Sequence, residues 1–66
     1  MTKKITTTSF TDEKGKDYHA EITIRTYEDG EVQYFTKDYQ ADGINYSDDE
    51  GFDAPTLEEL QCQLIA

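Results

Sequence analysis

Asp17-Tyr18-His19-Ala20-Glu21-Ile22-Thr23-Ile24-Arg25-Thr26-Tyr27 is the stretch on which the fold turns. Tyr18, Ala20, Ile22 and Ile24 recur at every second position, and His19, Glu21, Thr23 and Arg25 fill the positions between. Because successive side chains of a strand point to opposite faces, this alternation marks a strand with one buried and one solvated face. It is followed by Glu28-Asp29-Gly30-Glu31, and an Asp-Gly between two β-prone runs is a strong hairpin signal. The next run, Val32-Gln33-Tyr34-Phe35-Thr36-Lys37-Asp38-Tyr39, reads as a strand. Its apolar residues are split between a face with Val32, Tyr34 and Thr36 and a face with Gln33, Phe35, Lys37 and Tyr39. On the other side of the starting stretch, residues 4–11 are Thr-rich and β-prone, and the polar segment 12–16, with one Gly, is a hairpin loop.

Toward the C-terminus, residues 40–55 contain two Gly, five acids and Pro55, and read as an acidic loop tipped by Asp48-Asp49-Glu50-Gly51, in which Ile44, Tyr46 and Phe52 could serve as anchors or form a short strand. Thr56-Leu57-Glu58-Glu59 has the form of a capping box, in which the Thr hydroxyl accepts an N–H three residues on and the Glu carboxylate reaches back. Leu57, Leu60 and Leu64 then form one helical stripe. A helix this short is marginal alone, so its leucines must pack on the sheet. The expected architecture is an α+β fold. It is a single small domain over 1–66, a three-stranded antiparallel meander (strands about 4–11, 17–27 and 31–39) with one C-terminal helix, about 56–65, packed on it.

The chain has 66 residues, mass 7.6 kDa and net charge −9. Only 22 residues are Ala, Val, Ile, Leu, Met, Phe, Cys or Gly, well under the roughly 45–50% of ordinary domains. The core is therefore small, and aromatic and β pairing or a partner must make up the deficit. The N-terminus Met1-Thr2-Lys3-Lys4-Ile5-Thr6-Thr7-Thr8 has no apolar run of a secretory signal. Nothing is long and apolar enough to span a membrane. One cysteine cannot make an internal disulfide, and a reducing cytoplasm is expected.

Charge divides the chain. Residues 1–27 hold five basic and four acidic side chains, whereas residues 28–66 hold eleven acids and only Lys37. Such asymmetry is a cue for an interaction surface, and crowding of like charge works against a compact state. The acidity argues against direct nucleic-acid binding, which needs clustered Lys and Arg, and against anionic membranes. It favours a positively charged partner.

Catalytic chemistry finds little support. His19 is the only histidine, and it shares a strand face with Glu21, away from the isoleucines. Cys62 reads as a small packing residue, because a Cys–His pair needs an orienting group and an oxyanion hole. Zinc needs three or four Cys or His ligands, and EF-hand spacing is absent around Asp48-Asp49-Glu50-Gly51. No enzyme activity, cofactor or metal is expected. Carboxylates two apart on a strand lie about 6.6 Å from each other, and those three or four apart on a helix about 5–6 Å. DNA carries one charge per about 3.4 Å on each strand. A small scaffold can therefore set carboxylates at phosphate-like intervals and occupy a groove built for DNA. The candidate partner-binding residues are Glu28, Asp29 and Glu31 at the hairpin, Asp42, Asp48, Asp49, Glu50 and Asp53 in the loop, and Glu58 and Glu59 on the helix. Tyr39 and Tyr46, which flank the loop, join them as contact residues.

In size, acidity and lack of catalytic residues, the whole chain resembles the small phage- or prophage-encoded proteins that block bacterial defence, the type I anti-CRISPR proteins in particular. The resemblance implies an inhibitor acting in the cytoplasm of an infected or lysogenic bacterium. It would bind a basic DNA- or PAM-binding subunit of a CRISPR effector complex as a DNA mimic. The alternative is a small antitoxin-like regulatory binding module, since Phe52-Asp53-Ala54-Pro55-Thr56-Leu57-Glu58-Glu59-Leu60 is similar to the sheet-to-helix junction of HicB-like antitoxins. A partly exposed stripe of Leu57, Leu60 and Leu64 would support a homodimer.

Overall fold

The computed structural model describes residues 1–65. Four strands, β1 (Thr2–Thr11), β2 (Asp17–Thr26), β3 (Val32–Ala41) and β4 (Ile44–Ala54), form one antiparallel sheet in the order β1-β2-β3-β4, followed by α1 (Leu57–Ile65). The three-stranded expectation is corrected: most of the segment read as an acidic loop over 40–55 is the fourth strand. The cause lies in Asp42-Gly43. Both residues have positive φ, 50° and 79°, the conformation of a two-residue type I′ turn, whose twist matches that of the strands it joins. The turn folds Ile44 back onto Ala41 and sets Asn45 beside Gln40, Tyr46 beside Tyr39 and Ser47 beside Asp38.

The register then slips. Ser47 and Phe52 enclose four residues of β4, while their partners Asp38 and Thr36 enclose only Lys37. Three extra residues are thus accommodated in a bulge at the acidic tip. The Asp48 carboxylate closes it by accepting the N–H groups of Glu50 and Gly51 at 2.9 and 3.2 Å, replacing ladder bonds that the bulge breaks.

A second irregularity joins β2 and β3, where Glu21 and Ile22 face Thr36, Lys37 and Asp38. One extra residue inverts the parity of everything after it. Tyr39, expected beside Phe35, therefore lies on the face of Tyr34 and Thr36. Thr36 is buried, and its hydroxyl donates to the Glu21 carbonyl at 2.8 Å with the Asp38 carbonyl also in reach at 3.2 Å. A polar group buried at the bulge is thereby satisfied.

The helix covers one face of β3 and β4. Ile22, Ala54 and Leu60 form the core cluster, with Ile24, Tyr34, Phe52 and Leu57 packed against it. Tyr18, Ala20, Ile22 and Ile24 face this side as their alternation predicts, Ile24 being half-buried. Thr56 caps the helix by accepting the Glu59 N–H at 3.2 Å, and Glu58 and Glu59 suit the positive end of its dipole. Among the described residues, no bond returns from the Glu59 carboxylate to the Thr56 N–H, so only half of the capping box is formed. Leu60 and Leu64 are buried within the monomer, which removes the leucine stripe as a route to a homodimer.

At the β1–β2 turn the Lys16 N–H, foremost, and the Lys14 N–H and Tyr18 hydroxyl all donate to Asp12. Together with the Lys16 charge, these bonds outweigh desolvation and hold the Asp12 carboxyl below the usual 3.8. Desolvation, and then the charge of Asp12, raise the Tyr18 hydroxyl above the usual 10.0. A lowered carboxyl stabilises the fold above pH 3.8 and loses that contribution as pH falls through the folded value. A raised phenol stabilises it below pH 10.0 and loses that contribution as pH rises through the folded value. Urea titrations across pH should therefore show falling stability at both extremes, and Asp12→Asn should flatten the acid limb.

Candidate functional site

A meander lays out chain order as spatial order. Strand order equals sequence order, so the near-neutral first 27 residues form one side of the sheet. The acid-rich remainder forms the other side and the helix on it. Adjacent strands are about 4.8 Å apart, which puts the β1 and β4 edges about 14 Å from each other. That exceeds the ~8 Å Debye length at physiological salt, so a partner meets two electrostatically distinct edges.

The candidate carboxylates lie along the length of the acidic side. Glu28, Asp29 and Glu31 belong to the β2–β3 turn, which closes through Tyr27 N–H to the Glu31 carbonyl at 2.8 Å and Glu31 N–H to Asp29 Oδ1 at 3.0 Å. Asp42 sits at the opposite end of β3, about 33 Å away along a ten-residue strand. There its carboxylate accepts the Asp17 N–H and its own N–H donates to the Asp17 carbonyl. Asp48, Asp49 and Glu50 form the bulge on the β4 edge between these ends. Asp53 lies near the end of β4, beside Phe35, and Glu58 and Glu59 are exposed on the first helical turn. The carboxylates form a series of separate positions along a body with a longest dimension of 38 Å.

The bulge is anchored through the sheet face opposite the helix. A Cβ on Gly51 would meet the Phe35 ring at 2.6 Å and the Thr36 carbonyl at 3.0 Å. Phe35 in turn carries the Arg25 guanidinium 4.9 Å above its centroid, a cation–π contact. Arg25 Nε, buried and without a hydrogen-bond partner, belongs to this stack. Arg25, Phe35 and Gly51 thus link β2 to the acidic edge.

Tyr39 and Tyr46 stack on the helix side, centroids 5.2 Å apart and planes 17° from parallel, and Tyr39 meets Phe52 edge-on at 6.0 Å. Tyr39 is half-buried and acts as a support, whereas Tyr46 is 40% exposed and available for contact. The structure also contains a shallow open groove of about 650 Å³ on the face opposite the helix, which the sequence did not signal. Ser9, His19, Asp38 and Ser47 line it. Ser9 Oγ lies 2.8 Å from His19 Nδ1, and the Ser47 hydroxyl donates to Asp38 Oδ1 at 2.7 Å. The polar half of the β2 alternation supplies part of this lining, but the facing strand β4 is needed to complete it.

Cys62 is exposed, which corrects its reading as a packing residue, and the sheet separates it from His19. Among the described residues, no group of three or more His, Cys, Asp or Glu could hold a metal ion, and no helix is long and apolar enough to cross a membrane. Comparison with protein-family models, curated proteins and solved structures finds no match to the chain.

Proposed function

We propose that this protein is an inhibitor that occupies the basic nucleic-acid-binding surface of a host protein as a DNA mimic, the host protein being a subunit of a CRISPR effector complex and the inhibitor being phage- or prophage-encoded. The observation that carries this reading is the placement of the charge. Eleven carboxylates and one lysine occupy one side of a body 38 Å long. One turn of duplex DNA is about 34–36 Å long. Carboxylates spread along such a length suit a surface that tracks phosphates, whereas a single tight cluster would suit a point contact. The rigid strands keep the carboxylates in place, so little ordering entropy opposes binding. The near-neutral β1 side limits repulsion within the monomer.

A tagged pull-down from nuclease-treated lysate of bacteria carrying active CRISPR effectors, eluted in salt steps, tests this reading. Recovery of a basic nucleoprotein complex that moderate salt releases and its target DNA displaces supports it. Recovery of a small toxin, or of nothing that DNA displaces, overturns it. The matching variant combines Asp48→Asn, Asp49→Lys and Glu50→Lys. The amide introduced by Asp48→Asn retains an acceptor oxygen for the bulge N–H groups, while the net charge moves about five units upward from −9. At about 0.2–1 kcal/mol per exposed ion pair, with added repulsion, binding should weaken about 10–100-fold and its salt dependence should become shallower. Circular dichroism should remain that of the parent.

A further inference from the structure

The two edges of the sheet differ in how they are protected. The β4 edge is broken by the bulge and carries Asp48, Asp49 and Glu50, devices that block strand addition. The β1 edge pairs with β2 without a slip from Thr2–Thr26 to Thr11–Asp17. It is ten residues long, contains no Pro or Gly, carries charge only at Lys3 and Lys4 near its N-terminal end, and presents a row of backbone N–H and C=O groups on its outer side. The helix packs over β3 and β4 and reaches β1 through Gln61, whose amide donates to the Thr8 hydroxyl at 3.1 Å, a side-chain contact that leaves the outer backbone groups of the strand open. Ile5 is 66% exposed on it.

We propose that β1 pairs antiparallel with β1 of a second copy, giving a two-fold dimer with a continuous eight-stranded sheet. Charge selects this occupant. Contact through β4 would oppose two strongly acidic surfaces, whereas contact through β1 joins the two near-neutral sides and leaves the acidic sides outermost. The direction is also selected. Parallel pairing would stack Lys3 and Lys4 on their copies. Antiparallel pairing centred on Thr6 sets Lys3 opposite Ser9 and Lys4 opposite Thr8, with the two Lys3 positions about 20 Å apart along the ladder, beyond the Debye length. Alternation of inward and outward backbone groups requires outward residues to meet outward residues. A residue at the centre therefore pairs with its own copy. The Thr6–Thr6 pair at the centre of such a junction is favourable.

Sedimentation equilibrium over a concentration series, with the native chain at low and high salt, is the first test. A dimer that strengthens as salt rises is expected, because screening removes the repulsion between two chains of charge −9. A monomer at every concentration and salt overturns the proposal. Thr6→Lys, at an exposed position, places like charges directly opposite only in the dimer. It should weaken association at least about tenfold while leaving the unfolding midpoint of the dilute monomer unchanged. An unaltered dimer overturns the assignment to β1. In a Cys62→Ala background, Thr6→Cys should cross-link to its copy under mild oxidation and Glu58→Cys should not, since paired Cα atoms lie about 4.5–5.5 Å apart, within disulfide reach. Equal cross-linking of the two overturns the register. Binding to a basic partner should weaken with salt, so the two associations separate by the sign of their salt dependence.

Discussion

Replacing Leu60 by alanine should destabilise the protein by about 2–5 kcal/mol, the largest loss expected from a single side chain. Leu60 is fully buried and belongs to the cluster with Ile22 and Ala54. It joins helix to sheet, and few neighbours share that role. Leu64 is the other buried helical residue, and Leu57 packs half-exposed. A nine-residue helix has little stability of its own. Removing its main contact should therefore detach it, and Gln61, which donates to Thr8 at 3.1 Å, cannot hold it in place. A core this small supplies about 3–5 kcal/mol in all, so much of the variant should be unfolded at room temperature. Urea denaturation followed by circular dichroism measures the effect. Ile65→Ala, at a position 44% exposed, is the control and should change stability by less than about 0.5 kcal/mol. An unchanged midpoint for Leu60→Ala would mean that the helix does not pack on the sheet through this stripe.

The elements that can be read from the sequence are those whose local signals agree with one another. Tyr18, Ala20, Ile22 and Ile24 alternate without interruption, Asp29-Gly30 lies between two β-prone runs, and Thr56 precedes a clean leucine stripe. The fourth strand shows in the sequence only as the apolar residues Ile44, Tyr46 and Phe52, and its full length is hidden because its two halves are separated by the residues of the bulge. Ile44-Asn45-Tyr46-Ser47 and Phe52-Asp53-Ala54 are each too short to display a period. The acids between them have low β-propensity and enter the strand only because the Asp48 carboxylate satisfies the bulge backbone. Asp42-Gly43 carries the same hairpin signal as Asp29-Gly30, but without a recognisable strand after it the signal points nowhere. The parity change at Thr36 has no sequence mark, because the extra residue is defined by its partner strand. The charge asymmetry becomes spatial because a meander preserves chain order, and a crossover topology would have mixed the two halves. The grouping of side chains in the open groove depends on β4 and cannot be seen without it.

Replacing Gly51 by alanine should cost about 2–5 kcal/mol from two separable sources and should move the acidic edge. Gly51 has φ +76°, where a Cβ costs an L-residue roughly 1–2 kcal/mol. That Cβ would also stand 2.6 Å from the Phe35 ring, too close for any packed core, and crowding of this kind typically costs about 1–3 kcal/mol. If the half-buried Phe35 ring yields, it gives up the Arg25 stack, while the Thr36 carbonyl, 3.0 Å from the same Cβ, is backbone and cannot swing away. A double-mutant cycle separates the two causes. In a Phe35→Ala background the ring is gone, and Gly51→Ala should cost only the backbone part, about 1–2 kcal/mol. Equal costs in the two backgrounds would assign the whole effect to the backbone and remove the ring contact as a constraint. The functional consequence follows from where the strain is relieved. The bulge is held by Asp48 on its own strand and by the Gly51–Phe35 contact across the sheet, so losing the second lets residues 48–50 shift relative to β3. If these carboxylates meet a basic partner at set intervals, Gly51→Ala should weaken partner binding even at temperatures where the variant remains folded, with no change in net charge. Unchanged affinity in a folded variant would show that the partner responds to the charge of this edge and not to its geometry.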